Sequence, residues 1–196
     1  IGVPNDYSIY GITKYTNVNV HYLGADGKEI SWSGALGDVN IDPSEVTDSV
    51  WSYMKRKGWS DIAIAGLLGN MQQESSFRVT CLESSSDNGS ASVLNSGYGL
   101  CQWTNTQGNT TGRRHGLFQY AASHGGAPSD IKMQLDYLLY GEGSDSSIAR
   151  EYGRKNFSSV AEATEYFCNK WERPKAATAH ISDVRIPAAQ NFYNYY

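Results

Sequence analysis

The 196-residue chain is long enough for one domain with a full hydrophobic core and at most a small appendage. Its composition, 40% hydrophobic and 18% charged, is typical of a folded globular protein, and no apolar stretch approaches the length of a membrane-spanning helix, so we expect no membrane partner. A net charge of −4 lacks the basic excess that neutralises phosphates, which argues against a nucleic-acid partner.

The first part of the chain carries a predicted β-hairpin. Residues 18–22 alternate β-branched or aromatic side chains with polar ones, Asp26-Gly27 is a typical tight turn, and the alternation returns at 30–32. A single hairpin is too small to be stable alone. We therefore expect residues 1–41 to be an N-terminal β extension or the remnant of a preceding module, in a chain that starts at Ile1 as a processed product or a piece of a longer protein.

Two helices are predicted next. Asp42 fits the N-cap position of the first helix, with Pro43 at the first helical position and Glu45 completing a capping box. Ser60 opens the second helix, which is strongly apolar and ends near Glu74. The second helix is therefore the predicted central core helix.

The remainder of the chain favours helices separated by one irregular region. Gly66 and Gly69 allow another backbone to approach the central helix closely. Residues 78–98 are rich in Ser, Asn and Gly, which favours loops and a short hairpin. Helical patterns follow at 113–123, 129–139, 159–171 and 182–193. Residues 42–196 are thus predicted to form one domain of the α+β class, mainly α.

Glu74 is the leading candidate for chemistry. A carboxylate at the C-terminal end of an apolar helix faces the negative pole of the backbone dipoles and is partly desolvated, and both effects disfavour its charged form. A protonated carboxyl near neutral pH is what a glycosidase needs as its general acid. Taken alone, a glutamate at a helix end is more often a solvated surface residue.

Two motifs resemble those of a known family. Residues 65–77 read Ala-Gly-Leu-Leu-Gly-Asn-Met-Gln-Gln-Glu-Ser-Ser-Phe, and residues 97–104 read Gly-Tyr-Gly-Leu-Cys-Gln-Trp-Thr. Together they resemble the phage tail lysozyme family, and Glu-Ser-x-Phe followed by Gly-Leu-x-Gln is more distantly similar to goose-type lysozymes and soluble lytic transglycosylases. Weaker similarities at 113–114, 134–138 and 171–174 extend the resemblance over roughly residues 45–175.

The resemblance implies a lysozyme-like fold and a muramidase that cleaves the β-1,4 bond between N-acetylmuramic acid and N-acetylglucosamine in peptidoglycan. It also implies action from the phage tail or outside the cell, with glycan strands as substrate and other tail proteins as partners. By the same resemblance Glu74 is the catalytic acid, Gln102 contacts the substrate, and Tyr98, Gly99 and Trp103 line the sugar-binding cleft.

A second carboxylate is harder to place. An inverting hydrolase needs one roughly 6.5–9.5 Å from the acid, whereas a lytic transglycosylase does not. Glu83 and Asp87 both lie in the region after Glu74. Asp87 is preferred as the second catalytic residue, because the neighbouring Asn88-Gly89 favours a tight turn that would fix its direction.

Two further carboxylates, Asp136 and Glu172, lie in predicted helices. We expect both to be structural residues that form ion pairs with Arg113, Arg114 or Arg173.

Two other functions compete with a muramidase. In a cysteine-dependent peptidoglycan amidase or peptidase, Cys101 would be the nucleophile and one of the downstream histidines, His115, His124 or His180, the base. In a non-catalytic cell-wall-binding virion module, the fold would persist without turnover. An endolysin or a secreted bacterial hydrolase would carry the same motifs as a tail lysin.

Neither a cofactor nor a metal is expected, because the histidines and cysteines show no ligand spacing. A Cys81–Cys101 disulfide would require an oxidising compartment and stays open at this point.

Overall fold

The computed structural model describes residues 17–23, 29–35, 42–106, 112–141 and 143–196. These residues are mainly helical and include two small antiparallel sheets. The predicted α+β class, mainly α, is confirmed. No helix in the described ranges is long and apolar enough to cross a membrane.

The first sheet is the predicted N-terminal hairpin. Strand β1 (Asn17–Leu23) pairs antiparallel with β2 (Glu29–Ala35), so that Asn17 lies opposite Ala35 and Leu23 opposite Glu29. The predicted Asp26-Gly27 turn lies outside the described residues, and the domain boundary at residue 41 stays a prediction.

Helices α1 (Pro43–Arg56) and α2 (Asp61–Ser75) begin where their capping residues predict. The Asp42 carboxylate accepts a hydrogen bond from the backbone N–H of Ser44 at 2.8 Å. The Ser60 hydroxyl accepts one from Ala63 at 3.2 Å. Each cap satisfies a backbone donor that the first helical turn leaves unpaired.

Five more helices complete the domain: α3 (Arg113–Ser123), α4 (Ile131–Tyr140), α5 (Ser144–Arg154), α6 (Val160–Phe167) and α7 (Ile186–Tyr195). A π-helical turn, Cys168–Glu172, extends α6, and another, Ile181–Arg185, leads into α7. Four of these helices match predicted segments. Helix α5 does not, because Ala149 and Tyr152 are its only buried apolar residues and give too sparse a periodic pattern.

Helices α6 and α7 pack against α2 at its two glycines. A Cβ atom on Gly66 would lie 3.0 Å from the Cβ of Ala163 in α6, and one on Gly69 would lie 2.7 Å from the Cβ of Ala189 in α7. Neither position has room for a side chain. The predicted close approach to the central helix is therefore confirmed. It places the start of α7 beside the C-terminal part of α2.

The second sheet lies between α2 and α3. Strand β3 (Gly97–Tyr98) pairs antiparallel with β4 (Trp103–Thr104), and Leu82 bridges to Tyr98. The predicted irregular region after α2 is confirmed. Its short hairpin was predicted within residues 78–98 but lies later in the chain, at Gly97–Tyr98 and Trp103–Thr104.

Candidate active site

Glu74 is the penultimate residue of α2 and forms an ion pair with Arg185. The Nη2 atom of Arg185 lies 2.6 Å from Oε1 of Glu74. The Arg185 side chain is 1% exposed and that of Glu74 is 17% exposed. The carboxylate thus sits at the edge of the core, open to solvent on one side and held by a buried cation on the other.

Arg185 is itself fixed by contacts to the core. Its Nε donates to the backbone carbonyl of Ala179 at 2.6 Å, and its Nη1 donates to Oδ1 of Asn70 at 3.0 Å. Asn70 is fully buried in α2 and its Nδ2 donates to the carbonyl of Thr164 in α6 at 3.2 Å. Three helical segments therefore determine where the Glu74 carboxylate points.

Glu172 supplies a second carboxyl group, and the negative charge of Glu74 acts on its pKa. The residue is partly accessible, but its Oε1 is buried and has no hydrogen-bond partner among the described residues. Desolvation raises the pKa of Glu172 well above its usual range, and the negative charge of Glu74 raises it further. Positive charges on nearby arginines oppose this shift without cancelling it. Burial thus favours a neutral Glu172.

The predicted pairing of Asp136 and Glu172 with Arg113, Arg114 or Arg173 is not found among the described residues. Asp145 pairs with Arg113 at 3.1 Å and with Arg173 at 2.8 Å. Asp136 pairs instead with Lys132 at 2.5 Å and accepts a hydrogen bond from Tyr53. Asp145 was not predicted as an ion-pair partner, because it lies in α5, the helix that the sequence pattern did not predict.

Asp87 lies in a buried ion pair with Arg114. Their side chains are 1% and 0% exposed, and the two guanidinium nitrogens reach separate carboxylate oxygens at 2.5 and 2.8 Å. Ser96 and the backbone N–H of Gly89 also donate to this carboxylate. The guanidinium of Arg114 is the main cause that lowers the pKa of Asp87 to about 2. These contacts favour a structural role over that of a catalytic base. The other candidate of this region, Glu83, accepts a hydrogen bond from the backbone of Gly97 at 2.9 Å.

The Gly-Leu-x-Gln segment is a tightly bonded loop between β3 and β4. Gln102 has a φ of +46°, and its Nε2 donates to the carbonyls of Gly99 at 3.0 Å and Cys81 at 3.2 Å. The backbone N–H of Leu100 donates to Oε1 of the buried Gln134 at 2.9 Å. Side-chain amides thus hold the loop in one conformation, including a positive φ that non-glycine residues seldom adopt.

The two aromatic residues predicted to line the cleft are buried. Tyr98 is 6% exposed and packs edge-to-face against Phe118, with ring centroids 5.0 Å apart. Trp103 is 1% exposed and contacts Trp171 in the same manner at 6.3 Å. Both rings are therefore part of the core.

All three cysteines are buried free thiols, so the Cys81–Cys101 disulfide is not formed. Burial, followed by the negative charge of Glu172, raises the pKa of Cys101 well above its usual range. A nucleophilic cysteine requires the opposite, an accessible thiol with a depressed pKa. The environment of Cys101 therefore argues against the amidase or peptidase hypothesis.

Three of the cavities among the described residues are lined by residues other than Glu74. One of about 640 Å³ lies between α1, the end of α2 and the end of α7, among Phe77, Phe192, Tyr195 and Tyr196. One of about 210 Å³ adjoins Arg113 and Trp171, and one of about 400 Å³ lies beside Trp59.

Sequence reasoning did not find Arg185 or the effect of the Glu74 charge on the pKa of Glu172. Arg185 is 111 positions from Glu74, and no local pattern distinguishes it from a surface arginine. The Trp-Glu-Arg-Pro motif does mark Glu172, but its burial depends on packing between α6 and the rest of the core.

A mainly helical α+β fold with a partly exposed glutamate at the end of its core helix is the arrangement expected of a lysozyme-like enzyme. The model of the phage tail lysozyme family matches residues 45–196, and the chain belongs to that family. It is accordingly a lysozyme-like cell-wall hydrolase with peptidoglycan as its substrate. A comparison with curated proteins gives no match.

Proposed function

We propose that this protein is a muramidase that cleaves the β-1,4 bond between N-acetylmuramic acid and N-acetylglucosamine, with Glu74 as its catalytic acid. The observation that carries the proposal is the position of the Glu74 carboxylate. It lies at the end of the core helix, is 17% exposed, and is held at 2.6 Å by the buried Arg185. A catalytic acid needs this combination of a fixed direction and access to the substrate.

In the proposed reaction Glu74 donates its proton to the glycosidic oxygen as the bond from that oxygen to C1 of the muramic acid breaks. The oxygen leaves as the 4-hydroxyl of N-acetylglucosamine. Water then adds to C1 and gives one of its protons to the Glu74 carboxylate, which restores the acid and leaves a reducing end. Arg185 balances the negative charge that Glu74 acquires when its proton departs, which lowers the cost of forming a carboxylate at the edge of the core.

The loop from Gly99 to Gln102 is the proposed floor of the sugar site. Its conformation is held by the hydrogen bond from Leu100 to the Gln134 side chain and by the one from the Gln102 amide to Gly99. The floor is therefore ordered before the substrate binds. We assign Tyr98 and Trp103 to supporting this floor, because both rings are buried.

We leave Asp87 out of the proposed machinery because its carboxylate already accepts four hydrogen bonds. No second carboxylate is assigned, so the attacking group can be water or the sugar's own hydroxyl. The end of the product chain distinguishes the two reactions. We further propose that the enzyme acts in the phage tail and opens the wall locally during DNA entry.

Glu74→Gln is the direct test. It preserves the shape of the side chain and removes the proton, so release of reducing ends from purified cell walls should fall by about 100-fold or more. Glu165→Gln makes the same chemical change at an exposed position of α6 and should leave turnover unaltered.

Mass spectrometry of the digest identifies the reaction, since a reducing muramic acid marks hydrolysis and an anhydro end marks transglycosylation. Full activity of Glu74→Gln would rule out Glu74 as the acid. Wall binding by the wild type without any cleavage would support the non-catalytic virion module instead.

A further inference from the structure

The cavity of about 400 Å³ beside Trp59 is surrounded by positive charge. It lies where the end of α1, the start of α2, the end of α4 and the end of α5 meet. The described residues that line it include no Asp or Glu, and they include four cations: Lys57, Arg150, Arg154 and Lys155. Because the net charge of the chain is −4, this basic cavity is opposite in sign to the molecule as a whole.

The charges of the basic cavity are not neutralised by carboxylates. Within the described part of the chain, its four cations form no ion pair with Asp or Glu. The acidic residues closest to them in sequence are engaged by other groups: Asp61 by Lys55, Glu151 by Tyr166 and Glu162 by Ser158. The positive charge is therefore available to a ligand.

Aromatic rings hold two of the cations in place. The Nζ atom of Lys57 lies 4.9 Å from the ring centroid of Tyr53 and 5.1 Å from that of Tyr140. The Nζ atom of Lys155 lies 4.9 Å from the ring centroid of Tyr166. A ring face attracts an ammonium group without cancelling its charge. These contacts restrict where the two lysines point and leave their charge intact.

The segments around the basic cavity are joined by core contacts. Trp59 is buried and packs edge-to-face against Tyr152, with ring centroids 5.3 Å apart. A Cβ atom on Gly153 would overlap the Trp59 indole, so α5 lies directly against this ring. Arg150 donates a hydrogen bond to the carbonyl of Leu139 at the end of α4. The cavity is thus formed before any ligand binds.

The basic cavity is separate from the candidate active site. Ser60, the N-cap of α2, lines the cavity, whereas Glu74 lies near the other end of the same helix. At about 1.5 Å per residue, the two positions are about 21 Å apart along the helix axis. A ligand in the cavity would therefore leave Glu74 free to act on a glycan strand.

We propose that the basic cavity binds the phosphate groups of an anionic cell-wall polymer and so holds the enzyme on the wall while it cleaves. Guanidinium and ammonium groups are the side chains that bind phosphate, and several of them around one concave site suit a group with several acceptor oxygens. A single flexible phosphodiester chain fits a cavity of about 400 Å³, whereas a DNA duplex does not. The net negative charge of the molecule also opposes nucleic acid. This inference uses the class of the protein, a cell-wall hydrolase, and does not depend on the role of Glu74.

Binding of soluble poly(glycerol phosphate) to the full chain, measured by isothermal titration calorimetry, tests the proposal. Lys57→Gln/Lys155→Gln removes two charges of the cavity and leaves Arg150, which contacts α4. This double variant should bind about tenfold more weakly or worse. Raising the salt from about 50 to about 200 mM should weaken wild-type binding by a similar factor. Lys170→Gln/Lys175→Gln removes the same charge from exposed positions outside the cavity and should keep the wild-type affinity.

Cleavage assays separate this proposal from the role of Glu74. Lys57→Gln/Lys155→Gln should cleave soluble glycan fragments at the wild-type rate and should digest walls that carry the polymer more slowly. Glu74→Gln should lose cleavage and keep polymer binding, so each proposal can fail without the other. Equal affinity of the two double variants would overturn the inference. Tighter binding to polyglutamate or to a single-stranded oligonucleotide than to poly(glycerol phosphate) would overturn it as well.

Discussion

At the scale of single residues, the ion pair of Asp87 and Arg114 shows how the region between α2 and α3 is stabilised. This region has little regular structure, and the bidentate pair joins the 78–96 loop to the start of α3. A buried pair of this kind stabilises the fold only while both partners are present, because removal of one leaves the other charged and unsolvated.

Asp87→Asn should therefore lower the free energy of unfolding by about 3 kcal/mol at pH 7. The pKa of Asp87 is about 2 in the folded state, below its ordinary value of 3.8, so its charge stabilises the fold above pH 4 and this contribution is lost as the pH falls towards 2. Urea unfolding of both proteins should show their difference narrowing over that range.

Asp61→Asn is the matched control. The side chains of the Lys55–Asp61 pair are about half exposed, so the pair contributes less than about 1 kcal/mol to the free energy of unfolding. If Asp87→Asn kept wild-type stability but abolished wall cleavage, Asp87 would have to be restored as a catalytic residue.

At the scale of elements, the contact between α2 and α7 connects the fold to the site. Gly69 lets the α7 backbone lie directly against α2, and the same approach brings Arg185 to Glu74. Helix packing therefore also fixes the direction of the Glu74 carboxylate.

Gly69→Ala should consequently affect both stability and activity. The new methyl group would overlap the carbonyl of Arg185 and the side chain of Ala189, so the loss from overpacking, about 2 kcal/mol, should exceed the gain in helix propensity, about 1 kcal/mol. Thermal unfolding and wall digestion measure the two effects. Gly116→Ala on α3, where the methyl group meets only the side chain of Tyr137, should reduce activity much less. Unchanged activity of Gly69→Ala would separate the packing of α7 from the geometry of Glu74.

At the scale of the whole molecule, the fold encloses all three cysteine thiols. Cys81, Cys101 and Cys168 are 6%, 1% and 0% exposed, and desolvation raises the pKa of each. Reaction of a thiol reagent needs an accessible thiolate, so the reaction reports on opening of the core.

The native protein should accordingly react slowly with a chromogenic disulfide reagent, and the chain should release three equivalents once unfolded in denaturant. Dithiothreitol should not change the unfolding midpoint, since the cysteines are free. Rapid modification of Cys101 in the folded protein, accompanied by loss of lysis, would revive the hypothesis of a cysteine nucleophile.

Prediction from the sequence succeeded where the signal is local. The caps at Asp42 and Ser60 and the apolar periods of α2 and α6 each depend on residues a few positions apart, and all were confirmed. Helix α5 was missed because it buries few apolar side chains. Tyr98 and Trp103 were predicted as cleft-lining rings, yet their burial depends on Phe118 and Trp171, which no local pattern connects to them.

The amino-acid sequence by itself determined the helical architecture, the irregular region with its small sheet, and the place of Glu74 at the end of the core helix, because hydrogen bonds and side-chain periods within single elements encode these features. Only the tertiary structure decided which charges meet. Arg185 and Glu74 are 111 positions apart, and their contact depends on helices that pack closely enough to exclude water. Desolvation is a property of the assembled core, so the balance of charge at the site could not be derived from any one segment.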